Sequence, residues 1–382
     1  MIDIIDKEKC CGCYACNNIC PKNCIEMQVD NEGFWYPYID KKKCIDCGLC
    51  EKVCPQLVEK VDLNYLKKAY AIKSKNNYER ENSSSGGVFS LIAKYILDKN
   101  GVVFGAGFDE YFNLKHMEIK KISDLRYVRG SKYVQSSINY TYNMAKEYLE
   151  KGILVLFSGT QCQIKGLNLF LNKHYDNLIT VEVVCHGVPS PKVFLKYIEE
   201  KKIQYGSNIN KVLFRNKKIS WNEFMFTIEF QNKKIYEKKF FNDIYMKGFL
   251  ENLYLRPSCY KCNSKNFTSG SDLSLADYWG VENIHEKFYD EKGVSLVICN
   301  SEKGYKLLNE ISSTFNCIET DLDYAIKHNP CIVKAIKYNL NRSMFFKGIN
   351  NGNMSKNIKR YITITKYQKI KAKFNRLIKG NI

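Results

Sequence analysis

The chain has no apolar run approaching the ~18–20 residues that cross a membrane as a helix. The longest, Ile153 to Phe157, is the length of a strand. The first nine residues, MIDIIDKEK, lack the apolar core of a secretory leader. No Gly-x-Gly-x-x-Gly occurs: Gly105-Ala106-Gly107 runs into Phe108-Asp109-Glu110, which speaks against a Rossmann dinucleotide site. No nucleic-acid reader motif is present, so nucleic acid is not expected as a partner. One stretch has no acid at all: Tyr324 to Ile382 holds 14 Lys and Arg without an Asp or Glu. These absences point to a cytoplasmic protein. Its 382 residues suffice for two or three domains, and its 45% hydrophobic content for a packed core.

What the chain has in excess is cysteine, 17 residues. In a reducing compartment such density reads as metal ligation or catalysis, which excludes a secreted disulfide scaffold. The formal charge is +19, yet residues before Tyr324 carry 45 basic against 40 acidic groups, so most of the excess lies in the C-terminal stretch. A [4Fe–4S] core with four thiolates would carry about −2 and bring the body closer to neutral. The abundance of Lys, Asn, Ile and Tyr also fits AT-rich coding, which competes with a functional basic surface as an explanation.

Residues 1–60 form one unit. Cys10, Cys13, Cys16 and Cys20 recur 34 residues later as Cys44, Cys47, Cys50 and Cys54, and each set ends before a proline, Pro21 and Pro55. Three thiolates within seven residues can wrap three irons of one cube, while the fourth lies past a turn. Structural zinc favours separated Cys-x2-Cys pairs and fits this run poorly. The alternation at Ile25 to Val29, the turn Asp30 to Gly33 and the return from Phe34 to Ile39 predict a hairpin. Cys11 and Cys24 fall outside the pattern and read as packing residues. A linker is expected from Val58 to Lys68.

This unit resembles the bacterial two-cluster ferredoxins. The resemblance implies that the fourth cysteine of each run serves the other cluster. Cys10, Cys13, Cys16 and Cys54 would then hold one cluster, and Cys44, Cys47, Cys50 and Cys20 the other.

Residues 69–320 read as α/β. Ala69 to Ile72, Val102 to Phe104, Ile153 to Phe157, Ile179 to Val184 and Val294 to Cys299 are strand-like, with helical patterns after Gly87 and from Ile138 to Glu150. Two of these strands lead into Gly159-Thr160-Gln161-Cys162-Gln163 and Cys185-His186-Gly187-Val188-Pro189. Groups at carboxyl ends of strands line the functional crevice of an open sheet, so Cys162 and Cys185 should converge. With Cys259 and Cys262 they make four thiolates. A third [4Fe–4S] cluster, a redox dithiol, half a zinc site, and a Cys162 nucleophile with His186 as base all stay open on spacing alone.

Several segments together resemble the beta subunit of coenzyme F420-reducing hydrogenases and dehydrogenases, over about 69 to 310. They are Ser84 to Val88, Gly130 to Ser136, Gly159 to Gln163, Cys185 to Pro191, Arg256 to Cys262, Ala276 to Gly280 and Gly293 to Leu296. Gln161 and Ala276 depart from the family's usual Pro and Gly. The resemblance implies bound FAD, a third cluster on Cys162, Cys185, Cys259 and Cys262, and electron transfer between clusters and flavin.

The Ser83 to Gly87 turn before a helix is an anion site or a plain serine cap. Ser84, Ser85, Gly86 and Gly87 are the candidate phosphate contacts. Lys132 would place a cation by the flavin or remain solvated. Asp277 and Trp279 would line the pocket or simply close a strand and fill a core. His186 would shuttle protons or cap a loop.

The expected architecture is α+β and α/β: a small two-cluster ferredoxin-like domain, a larger α/β flavin-binding domain, and a basic, helical tail over 324–382. The expected function is an iron–sulfur flavoprotein oxidoreductase of an anaerobe. It would relay electrons between clusters and FAD, to or from F420 or another two-electron substrate. The rivals are a cluster-only electron-transfer subunit and a ferredoxin-dependent reductase of another metabolite. Expected partners are an electron-carrier protein or redox subunit and a small-molecule substrate. The tail has three readings: peripheral membrane contact, attraction of an acidic carrier, or a solvated surface helix.

Overall fold

The computed structural model describes residues 2, 4, 6–58 and 67–362. Most of the expected linker lies outside them, as do Thr363 to Thr365, Ile370, Phe374, Leu377 and Ile378 of the expected tail helix.

The predicted hairpin forms from β1 (Ile25–Val29) and β2 (Trp35–Ile39), antiparallel with Ile25 opposite Ile39. The Asp30 carboxylate closes its turn by accepting the Glu32 and Phe34 N–H groups at 3.0 Å each. Two short helices, Ala15–Ile19 and Leu49–Lys52, carry Cys16 and Cys50.

The chain continues through β3 (Lys68–Ser74), β4 (Val102–Phe108), β5 (Leu114–Ile119), β6 (Val155–Thr160) and β7 (Leu178–Val183). It then makes a separate antiparallel sheet of β8 (Ile209–Asn216), β9 (Met225–Phe230) and β10 (Ile235–Lys239), and returns with β11 (Leu273–Asp277), β12 (Ser295–Cys299) and β13 (Phe315–Thr320). The main sheet has the order β13-β3-β12-β11-β7-β6-β4-β5, with β11, β7, β6 and β4 parallel side by side.

Central parallel strands are covered on both faces and so read as continuous apolar runs. Val155, Leu156 and Phe157 are fully buried. Leu91, Ile92 and Ile96 of helix Val88–Asp98 pack on one face, against Val103, Leu156 and Val181. Helices Thr141–Glu150 and Gln161–Leu171 cover the other, with Tyr142, Leu149, Ile164 and Leu167 around Phe104 and Phe157. A third core, rich in aromatics, joins the smaller sheet to helices Pro191–Tyr205 and Ile244–Leu250.

That core also takes Phe34 from the hairpin unit and Phe345, Ile349, Met354, Ile358 and Tyr361 from the C-terminal stretch. Residues 324–362 are therefore packed onto the body rather than forming a separate tail. The helix that starts at 354 presents its apolar side to this core, while its charged residues Lys359 and Arg360 are exposed. Of the three readings given to this stretch, none expected a docked segment, because its buried residues are scattered over several short elements.

Candidate functional site

The cysteines gather into three groups. Cys10, Cys13, Cys16 and Cys54 are all buried. Burial pushes the Cys16 thiol well up, and the neighbouring Cys10, Cys54 and Cys50 push it further. Burial also raises Cys54, again with Cys10 and Cys50 beside it. Cys20, Cys44, Cys47 and Cys50 line a small cavity with Gly48 at the outer edge of the hairpin unit. Cys47 is exposed, whereas Cys24, expected only to pack, contributes to that cavity with its Sγ 3.3 Å from Cys20 Sγ.

The third group is built from loops far apart in sequence. Cys162 stands in the first turn of helix Gln161–Leu171, just after β6, with Sγ 3.3 Å from Thr160 Oγ1. Cys185 follows β7. Cys259 lies in the 3-10 turn Pro257–Lys261, where its Sγ accepts the Val188 N–H at 3.4 Å, and Cys262 follows directly. Burial raises the Cys185 thiol well above its usual range; Lys265 opposes that rise, while Cys259, Cys162 and Cys262 add to it. Four half-buried cysteines whose thiolates would repel one another are a poor resting place for bare negative charge and a good one for cationic iron.

Among the described residues, no three His, Cys, Asp or Glu side chains close on one point as a single metal ion would need. A four-iron cube binds one thiolate at each iron, so its ligands stand further apart than those of a single ion.

The buried Cys11 connects the groups. Its thiol is raised well above the usual range, first by a hydrogen-bond interaction with Cys13, while one with Cys162 opposes the rise. Helix Gln161–Leu171 can come this close because position 166 is glycine: a Cβ there would stand 3.0 Å from Cys13 Cβ and 3.1 Å from its Sγ.

Beyond Cys185 opens a cleft of about 590 Å³ at the carboxyl edge of the parallel strands. Ala106, Thr160, Val183 and Asp277, from β4, β6, β7 and β11, reach it. Of the expected contacts, Ser84, Ser85, Gly87, Lys132, Asp277 and Trp279 line this cleft. Gly86 serves the fold instead: a Cβ there would meet Ile72 O at 2.3 Å, and its N–H donates to Ser295 Oγ at 2.9 Å. Gly87, at φ +93°, turns the chain into the eleven-residue helix Val88–Asp98. Ser84 Oγ accepts the Ser131 N–H at 2.7 Å and Ser85 Oγ donates to Val294 O at 2.7 Å, so both hydroxyls are engaged in shaping the loop.

Lys132 is half-buried, with Nζ donating to Arg129 O at 3.0 Å, and loss of hydration pulls its pKa down to about 7. Asp277 pairs with Arg215 and accepts from Trp221 Nε1 at 3.4 Å. Trp279 stacks on Trp221, ring centres 4.8 Å apart. Arg215, Trp221 and Lys217, which donates to Ser85 O at 3.0 Å and Lys292 O at 2.7 Å, were not singled out from the sequence. No local motif marks them; each matters through a partner distant in the chain. His186 lines the cleft with Nε2 2.5 Å from Asn252 Oδ1 and Nδ1 3.7 Å from Cys331 Sγ, so Cys331 is another wall residue without a sequence signal.

These residues fit a flavin dinucleotide. A helix N-terminus suits phosphate, a half-buried lysine with no carboxylate partner among the described residues suits an electron-rich ring, and Trp279, Phe224, Phe240 and Phe249 supply apolar wall.

An N-terminal sulfur-rich unit joined to an α/β body with a crevice at its switch edge is the make-up of a multi-centre redox protein. Residues 9–58 match the 4Fe-4S dicluster domain, and residues 153–324 match the C terminus of the coenzyme F420 hydrogenase/dehydrogenase beta subunit. The chain thus carries an N-terminal 4Fe–4S dicluster domain followed by a region that matches the C-terminal domain of that beta subunit. Among solved structures, the F420-reducing [NiFe] hydrogenase complex from Methanosarcina barkeri contains a chain similar to this one at 16% identity and a TM-score of 0.46, covering 81% of this chain and 94% of that one. No curated protein matches. Among the described residues, no helix is long and apolar enough to cross a membrane.

Proposed function

We propose that this chain is an iron–sulfur flavoprotein oxidoreductase. Electrons pass one at a time between an external carrier and FAD through three [4Fe–4S] clusters. A two-electron partner, F420 or another hydride-exchanging molecule, reacts over the flavin. The observation that carries this reading is the double position of Cys185, which belongs to the third sulfur group and also lines the cleft.

In this reading the outer cluster is held by Cys20, Cys44, Cys47 and Cys50, and the inner one by Cys10, Cys13, Cys16 and Cys54. Cys162, Cys185, Cys259 and Cys262 hold the third. Cys11 spans the inner and third groups, giving a continuous path into the body. The outer edge is where a carrier would dock: Cys47 is exposed, Ile45 is 58% exposed, and exposed Lys22 and Asp46 line the same small cavity.

Bound FAD supplies the exchange between one- and two-electron steps. The protein's own contribution is positional. The loop before Val88 offers helix N–H groups to phosphate. Lys132 sets a positive charge against the ring system, Arg215 keeps Asp277 in the wall, and the aromatic side chains keep water out.

The test is Cys259→Ser in anaerobically prepared protein. Iron should fall by about four atoms per chain, with the dicluster signals retained. Unchanged iron would remove the third cluster from this scheme.

A further inference from the structure

Arg256 is one of the largest fully buried side chains, with 0% exposure. Its guanidinium is fully engaged: Nε donates to Cys10 O at 2.7 Å, Nη1 to Gln135 Oε1 at 3.1 Å, and Nη2 to Trp35 O at 2.8 Å and Cys10 Sγ at 3.4 Å. The ring faces of Tyr36 and Phe34 lie 4.3 and 5.5 Å from it. Gly12 leaves the room, since a Cβ there would stand 2.8 Å from Nη1. From its other side Arg256 accepts the Cys259 N–H on its carbonyl at 3.0 Å, so one residue spans the inner and third sulfur groups.

What is missing is a carboxylate. No described acidic residue forms an ion pair with Arg256, while the acid of the adjoining hairpin turn, Glu32, is taken by Arg342. A buried charge without a counter-charge is strongly unfavourable. The groups around this one that can carry negative charge are the cysteines, Cys10 by direct contact and Cys11, Cys259 and Cys162 nearby.

We infer that Arg256 is the counter-cation of the inner and third clusters, a positioning residue that raises the reduction potential of both. The inference rests on the cluster reading above. A fixed positive charge stabilises the more negative, reduced cluster over the oxidised one, so its removal makes reduction harder. It also explains a fully buried arginine where the inner and third clusters would meet.

The experiment is a potentiometric titration of the full, cluster-loaded chain followed by electron paramagnetic resonance. Three variants are compared with the unaltered protein. Arg256→Gln removes the charge. Gln135→Glu leaves the guanidinium in place and sets a carboxylate at its Nη1, cancelling the charge in a side chain of the same size at the loss of the Gln135 Nε2 hydrogen bond to Cys11 O. Arg256→Lys keeps the charge and loses the fork.

In both charge-cancelling variants the equilibrium constant for reducing the inner and third clusters should fall at least tenfold, ~59 mV per electron. The outer cluster should move less than twofold, and Arg256→Lys should recover most of the loss. Gln135→Glu carries the test even where Arg256→Gln fails to assemble. Inner and third potentials within twofold of the unaltered protein in Gln135→Glu would make Arg256 a mere structural bracket and overturn the inference. Absence of cluster signals from the unaltered chain would instead overturn the cluster reading beneath it.

Discussion

Lys132, half-buried at the cleft with no ion pair to a described acid, makes a definite prediction. The Lys132 value of about 7 lies well below the ~10.4 of a free lysine, because burial disfavours its charged form. Between those values the unfolded chain binds a proton that the folded chain does not, so this residue makes stability rise with pH from about 7 to about 10. Lys132→Met should therefore leave the flavin-free protein at least as stable, flatten that slope, and reduce flavin retention. Thermal melts at pH 7 and 10, with flavin quantified in parallel, check all three. Loss of stability without loss of flavin would make Lys132 structural. At this scale the sequence was most informative where ligands come in tight runs, such as Cys10 to Cys20. It gave Arg256 no role beyond its place in a resembling segment and was mute on Arg215 and Trp221, whose shared partner Asp277 lies 62 and 56 residues away.

At the level of elements, the helix Gln161–Leu171 does two things: its first turn presents Cys162, and its Gly166 lets Cys13 approach. Gly166→Val would push side-chain atoms into the Cys13 sulfur. The expected result is a loss of about 1–3 kcal/mol in stability and a drop in iron bound by the dicluster domain, read by denaturant melts and iron assay. Unaltered iron would show that the inner site does not depend on this contact. The parallel strands β4, β6 and β7 could be read from the chain because burial on both faces makes them uniformly apolar. The sheet β8–β9–β10 could not. Its register slips between Ile209 and Lys211 and again between Leu213 and Asn216, so the alternation that marks a half-buried strand is broken. β11 and β13 were missed too: β11 is only five residues long, and β13 exposes much of its length at the sheet edge.

Across the whole molecule, the dicluster unit is built into the body. Phe34 enters the aromatic core, Lys192 Nζ donates to Asn31 O at 3.0 Å, and Asn18 Nδ2 donates to Asn139 O at 2.7 Å. The C-terminal stretch closes the arrangement through Arg342, which holds Glu32 in a largely buried, two-pronged ion pair. Arg342→Met should cost about 2–3 kcal/mol and loosen the hairpin unit, seen as faster amide exchange across β1 and β2. Exchange as slow as in the unaltered chain would show that the core contacts suffice. Composition located the basic stretch but hid this clasp, because its apolar anchors are spread over 345–361 with lysines between them.

The central claim is a chain of three clusters ending at a flavin, and its most direct test is stoichiometry. Iron, acid-labile sulfide and extracted flavin should be quantified on one anaerobic preparation of the full chain. About twelve irons, a matching amount of sulfide and one FAD per chain are predicted. About eight irons without flavin would contradict the account and leave a dicluster electron carrier on an α/β body.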